Sequence, residues 1–419
     1  MKTWNLGVLL LTAGVVLAAD KPAVKDLLAM AATTPDAETL RQGLLAWVKP
    51  EDVKTGKAVI GELSNFLWVV ESETQPVLVV DGEARGGMRH SEGSNLWIAI
   101  GKLEQGDSHK FHYLIGGKEF GGRNDVAAYL PESYEMAGVP QGKVTDKLIH
   151  RSTIYPGMET NYWVYIPAQY DRTKPLALMV WQDGEKYVDR NGAGRMGIVV
   201  DNLIAQKKIP PMILVLISPG TVGEKKMRSI EYDTVNDTYP RFLRDELLAE
   251  VEAKYKIRKD SYSRAIAGES SGGICSFNAA WFMPEQFSRV LSRIGSFTSI
   301  QWKPNVLDGG QSYPNKIRKE PKRNIRVWLS DGAEDLENEH GSWPLQNVQM
   351  ANSLKRMGFD YRFHWGVGTH STAQGNAELP TAMTWLWRDY DADKTGQEYV
   401  QDDAEKAKGL WRVKALSRD

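Results

Sequence analysis

Residues 264–282 read RAIAGESSGGICSFNAAWF, an apolar run that ends in a Gly/Ser cluster and passes directly into a helix-forming segment. Within it, Gly268-Glu269-Ser270-Ser271-Gly272 is a G-x-S-x-G pentapeptide. With 38 glycines in the chain, about 0.2 such strings are expected by accident, so the string alone decides little. Its context decides more. A strand-to-helix turn is where a nucleophilic serine is held in a strained backbone with its hydroxyl exposed, and small neighbours leave room for that turn. The register puts Ser270 at the apex and leaves Ser271 to supply a backbone N–H. Cys275, the single cysteine, falls inside the helix and reads as a small buried hydrophobe.

A serine hydroxyl needs a base to remove its proton, and a strand–turn–helix serine is followed in the chain by an acid and then a histidine. His340, His364 and His370 are the candidates. His364 lies inside an apolar strand, Tyr361–Trp365, and reads as a satisfied core histidine. His370 follows that strand in the loop Gly366-Val367-Gly368-Thr369-His370, where a base belongs. The acid is expected after the preceding strand, in Asp331-Gly332-Ala333-Glu334-Asp335-Leu336-Glu337. Asp335 is favoured because it lies beyond the Gly332 turn, with Glu337 as the alternative. A metal site from Asp335, Glu339 and His340 lacks a recognised ligand spacing, and no metal or organic cofactor is expected. The oxyanion of a tetrahedral intermediate requires two amides, one from Ser271 and one from Gln182-Asp183-Gly184, where Gly184 admits close backbone approach. Arg228, Tyr232 and Trp343 are candidates for contacting the substrate, with packing roles as the competing reading.

Outward from this site the pattern alternates strand and helix, with strands expected at 148–155, 163–166, 176–181, 213–217, 264–267, 290–294, 325–329 and 361–365. Such alternation predicts an α/β fold with one large sheet and a site along the strand C-termini. The expected organisation is a signal peptide at 1–19, a helical segment at 20–55, a β-sandwich at 56–122, a linker at 123–142, the α/β unit at 143–392 and a tail at 393–419. The sandwich rests on short β runs broken by Asp81-Gly82, Glu92-Gly93 and Gly116-Gly117. Trp68 and Trp97 are read as core aromatics before sugar-stacking ones.

From about Gly142 to Tyr390 the chain resembles the esterase D superfamily, which includes enterochelin-type esterases and the feruloyl and acetyl xylan esterases of carbohydrate esterase family 1. The residues carrying the resemblance are Trp181-Gln182-Asp183-Gly184, Arg228 to Asp233, Gly268 to Gly273, Gly332-Ala333-Glu334-Asp335 and Gly368-Thr369-His370. It implies an α/β-hydrolase fold with Ser270, Asp335 and His370 as a triad. Gln182-Asp183-Gly184 is closer to the enterochelin type than to the histidine- and glycine-rich loop of many feruloyl esterases. The stretch 56–122 resembles the immunoglobulin-like modules that precede some of these catalytic domains.

The bulk properties bound the partner. Lys plus Arg (52) nearly equals Asp plus Glu (53), so no global field favours nucleic acid or an anionic membrane surface. Lys2, the apolar run Leu6–Leu17 and the small residues Ala18 and Ala19 read as a cleaved signal peptide, too short to span a bilayer. The expectation is an exported, periplasmic or secreted, feruloyl-esterase-like or acetyl-xylan-esterase-like hydrolase acting on a small-molecule or polysaccharide-linked ester. A siderophore trilactone esterase and a non-catalytic carbohydrate-binding protein are the alternatives. Oligomeric state is left open.

Overall fold

The computed structural model describes residues 21–33 and 37–412; the expected signal peptide and residues 413–419 lie outside the described residues. Eight main strands build the large sheet: β1 Leu148–Arg151, β2 Glu159–Ile166, β3 Ala177–Gln182, β4 Met212–Ile217, β5 Arg264–Glu269, β6 Arg289–Arg293, β7 Arg326–Gly332 and β8 Asp360–Gly366. Their order is β1-β2-β4-β3-β5-β6-β7-β8, and short strands on the β1–β2 side bring the sheet to eleven. β1, β2 and β4 pair antiparallel; from β4 onward every neighbour is parallel.

Parallel strands must be covered on both faces, and these sequences allow it. In β3, Leu178 and Val180 point to one core while Ala177, Met179 and Trp181 point to the other; β4 repeats the alternation with Ile213, Val215 and Ile217 against Met212, Leu214 and Leu216. Helices Ser271–Phe282, Tyr313–Lys319 and Trp343–Arg356 fill the first core, and Met196–Ala205 with Ala373–Leu386 fill the second. This is the α/β-hydrolase layout, and it lines the loops after β3, β5, β6, β7 and β8 along one edge.

The N-terminal region forms two four-stranded antiparallel sheets. Phe66, Trp68 and Val70 of one face Leu78, Val80, Phe111 and Tyr113 of the other, as in a β-sandwich. Trp68 is therefore core; Trp97 donates to the Ser72 carbonyl and packs on His90. The helices Val24–Ala32 and Ala37–Leu45 cover the outer face of the first sheet through Leu27, Leu40 and Leu44.

Two expectations need correction. The last sandwich strand runs Lys118–Ala127, beyond the expected end at 122. Gly121-Gly122 form a bulge in this strand, where the register with the neighbouring strand shifts and Gly122 donates to the Gly56 carbonyl. The expected tail is also tied down: Tyr399 is buried, stacks on Tyr262 and shares a hydrogen bond with Ser288.

The sandwich meets the large sheet through charged groups. His364 at the end of β8 lies 2.9 Å from Asp107 and 2.8 Å from Glu378. Burial works against a charged imidazole here, but the hydrogen bonds to Asp107 and Glu378 outweigh it and raise His364 to about 10. The His364 hydrogen bond in turn holds Asp107 below the usual carboxylate range. A raised histidine contributes stability that is complete below its unfolded value of about 6.5 and is lost as pH rises through about 10. A depressed carboxylate contributes stability present above about 3.9 and lost on acidification. Wild type should therefore melt above His364→Gln near pH 6, with the gap closing as pH approaches 10; thermal scans across that range giving a constant gap would contradict the pairing.

Candidate active site

β5 delivers Ser270 into a backbone that few side chains tolerate, with φ 58° and ψ −122°. Close packing enforces the turn. A Cβ on Gly268 would lie 2.4 Å from the Gly272 carbonyl oxygen, and one on Gly273 would lie 2.8 Å from Ser292 Oγ. Ser270 N–H donates to the Arg293 carbonyl across to β6, and its own carbonyl accepts from Gly273 and Ile274 to start the helix. Ser271 follows as the first helical residue, a position whose N–H has no partner inside the helix.

The loops after β7 and β8 bring the other two expected residues to Ser270. His370 Nε2 lies 2.8 Å from Ser270 Oγ, and His370 Nδ1 lies 2.5 Å from Asp335 Oδ1. With the Nδ1 proton donated to Asp335, Nε2 is left to accept from the hydroxyl. Asp335 also accepts from the Leu336 amide. Glu337 is exposed on a small hairpin instead. Behind Asp335 sits Asp331, which burial and the hydrogen bond and charge of Asp335 push well above the usual carboxylate range.

Two of the expected contact residues, Tyr232 and Trp343, turn inward. Tyr232 is fully buried, packs edge-on against Tyr239, and its hydroxyl takes a long, 3.5 Å hydrogen bond from the Asp183 amide. Trp343 is buried; it donates to Ser296 Oγ at 3.1 Å and sets its ring edge-on to His370. Gly184 is required by β4, since a Cβ there would lie 2.4 Å from the Ile217 nitrogen.

Arg228 remains partly exposed beside the apex, but it is committed. Its Nε and Nη2 bind Asp183 at 2.8 and 2.7 Å, and Nη2 lies 3.5 Å from the Glu269 carbonyl. Elsewhere in its segment, Glu231 accepts from Gly220 N–H, and Asp233 accepts from Ser229. Burial raises Glu231 to about 7 and Asp233 to about 6. Ser296, 3.2 Å from Ser270 Oγ, was not foreseen because nothing in Gly295-Ser296 distinguishes it from an ordinary turn. Asp335, Glu339 and His340 do not form a metal cluster; among the described residues no group of three or more potential ligands does.

This arrangement can take a proton from a hydroxyl and stabilise the imidazolium that results. Residues 153–386, more than half of the sequence, match the Esterase family. The chain belongs to the Esterase family. Curated relatives agree: an endo-1,4-beta-xylanase/feruloyl esterase of Xylanibacter ruminicola is 26% identical over 283 residues, covering 61% of this chain and 36% of the relative. An iron(III) enterobactin esterase of Dickeya dadantii is 25% identical over 231 residues, covering 54% of this chain and 51% of the relative. The chain thus spans about half or less of the length of these relatives. The crystal structure of the Shigella flexneri enterobactin esterase in the presence of enterobactin shares the fold, with a TM-score of 0.54 at 16% identity over 84% of this chain and 98% of that one.

Proposed function

We propose that this Esterase is an exported serine hydrolase of neutral, feruloyl- or acetyl-type esters. Ser270 Oγ attacks the ester carbonyl as His370 Nε2 takes its proton. His370 returns that proton to the departing alcohol, leaving an acyl group on Ser270. Water, deprotonated by the same imidazole, then releases the acid and restores the serine. Asp335 holds the imidazole in the tautomer this requires. The Ser271 amide and one from the Asp183-Gly184 turn are assigned to the oxyanion. Export is supported by Lys2 and the apolar run Leu6–Leu17.

The observation carrying the reaction is the continuous series Ser270–His370–Asp335, at 2.8 and 2.5 Å. A neutral substrate is favoured by the cations beside the apex. Arg228 is paired with Asp183 and Arg293 with Glu269, so neither is free to offset an anionic iron-bound ligand. A catecholate trilactone, suggested by the Dickeya relative, is the competing substrate. Steady-state kinetics on methyl ferulate, an aryl acetate and a catecholate trilactone should give kcat/KM at least about tenfold higher for one of the first two. Preference for the trilactone would overturn the substrate class. No turnover of any ester, with sugar retention unaffected by Ser270→Ala, would favour the non-catalytic alternative.

A further inference from the structure

His370 sits on the loop between β8, which ends at Gly366, and the helix that starts at Ala373. Two glycines within this stretch, Gly366 and Gly368, leave the backbone with many alternatives to the working geometry. Something must restrict them, and it comes from outside the hydrolase sheet.

Asp125 lies on the sandwich strand Lys118–Ala127. Its Oδ2 accepts from the Thr369 hydroxyl at 2.6 Å, its carboxylate accepts from the Thr369 amide at 3.2 Å, and Oδ2 accepts from the Ser371 hydroxyl. Thr369 and Ser371 are the residues on either side of His370. They are joined by a tight turn, Ser371 N–H donating to the Thr369 carbonyl at 2.8 Å. Among the described residues, every hydrogen bond given to the Asp125 side chain goes to these two. A Cβ on Gly368 would approach Ser108 Oγ to 3.2 Å and Asp125 Oδ1 to 3.4 Å, so the loop lies directly against the sandwich.

The grip is not confined to one loop. Lys110 of the sandwich pairs with Glu334, the residue before Asp335. Ser108 donates from both its amide and its hydroxyl to Gln374, at 2.9 and 3.0 Å. The two gripped loops also bond each other, Glu334 N–H donating to the Gly368 carbonyl.

We infer that Asp125 is a positioning residue for His370, so that the N-terminal sandwich is a working part of the ester-cleaving site. The inference rests on the triad proposed above. Charge-assisted bonds to both neighbours of a histidine fix its Cα and ring direction together, and a misplacement of about 1 Å at a reacting group costs about 10²-fold in rate.

The test uses the full chain, an aryl acetate for turnover and an organophosphonate for the labelling rate of Ser270, with mass spectrometry locating the adduct. Asp125→Ala should lower both kcat and the labelling rate by about 10²-fold, while KM stays within about twofold. Asp125→Asn, which keeps one acceptor oxygen, should recover activity to within about tenfold of wild type. Thr369→Ala combined with Ser371→Ala should reproduce the loss and add little to it in the Asp125→Ala background. These loop variants also carry the test if Asp125→Ala does not fold. Loss of thermal stability with kcat per labelled site unchanged would reduce Asp125 to a structural tie and overturn the inference. Wild type that takes no adduct on Ser270 would instead overturn the triad; wild type and Asp125→Ala labelled equally fast would overturn only the role of Asp125.

Discussion

Ser270→Ala is expected to lower kcat by about 10⁴- to 10⁶-fold toward an activated ester, His370→Ala to cost a similar amount, and the double variant to be scarcely worse than either. The hydroxyl and the imidazole, 2.8 Å apart, act as one unit: without the base the alcohol stays protonated, and without the alcohol the base has only water to activate. Independent effects would multiply and push the double variant far below either single. Melting temperatures should stay near that of wild type, because alanine at 270 keeps the backbone contacts of the turn to Arg293, Gly273 and Ile274. The decisive comparison is kcat for the two single variants and the double at matched fold content. Activity within about tenfold of wild type for Ser270→Ala would remove this residue as nucleophile.

Asp335→Asn should cost about 10³- to 10⁴-fold in kcat with KM little changed. Asp335 Oδ1 accepts from both the Leu336 amide and His370 Nδ1. An asparagine can keep the geometry, but turned to present its amide N–H₂ it favours the tautomer with Nε2 protonated, which cannot take the Ser270 proton. It also removes the charge that stabilises the imidazolium. Glu337→Gln should leave kcat unchanged, since Glu337 is exposed on the hairpin with Ser342. A large loss in Glu337→Gln with Asp335→Asn nearly normal would reverse the assignment between the two carboxylates.

What could be read before folding follows a physical division. The eight main strands were legible because their apolar runs and the intervening helical periods are local, and the largest boundary misses, four residues each, lie where β1 ends at Arg151 and where β2 begins at Glu159. Ser270, Asp335 and His370 were legible because each sits just beyond a strand end in a fixed chain order. The inward turning of Tyr232 and Trp343 was not, because Tyr232 closes the five-residue helix Arg228–Tyr232 and Trp343 opens Trp343–Arg356, and at a helix end the period does not say which side chain faces the core. Gly184 carried a need for glycine, and the crowding that imposes it comes from β4, some thirty residues on. Asp125 left no mark at all: its partners lie 244 and 246 residues away, and an aspartate near Gly121-Gly122 looks like any linker residue.

The backbone at Ser270, φ 58°, has a consequence for the history of such a chain. A left-handed position occupied by a residue other than glycine costs the fold about 1–3 kcal/mol, and glycine there would not incur it. On the proposed triad, the most direct gain in durability at this position is also the one that removes the nucleophile. Selection by heat resistance alone would therefore drift toward a sturdier and inert protein.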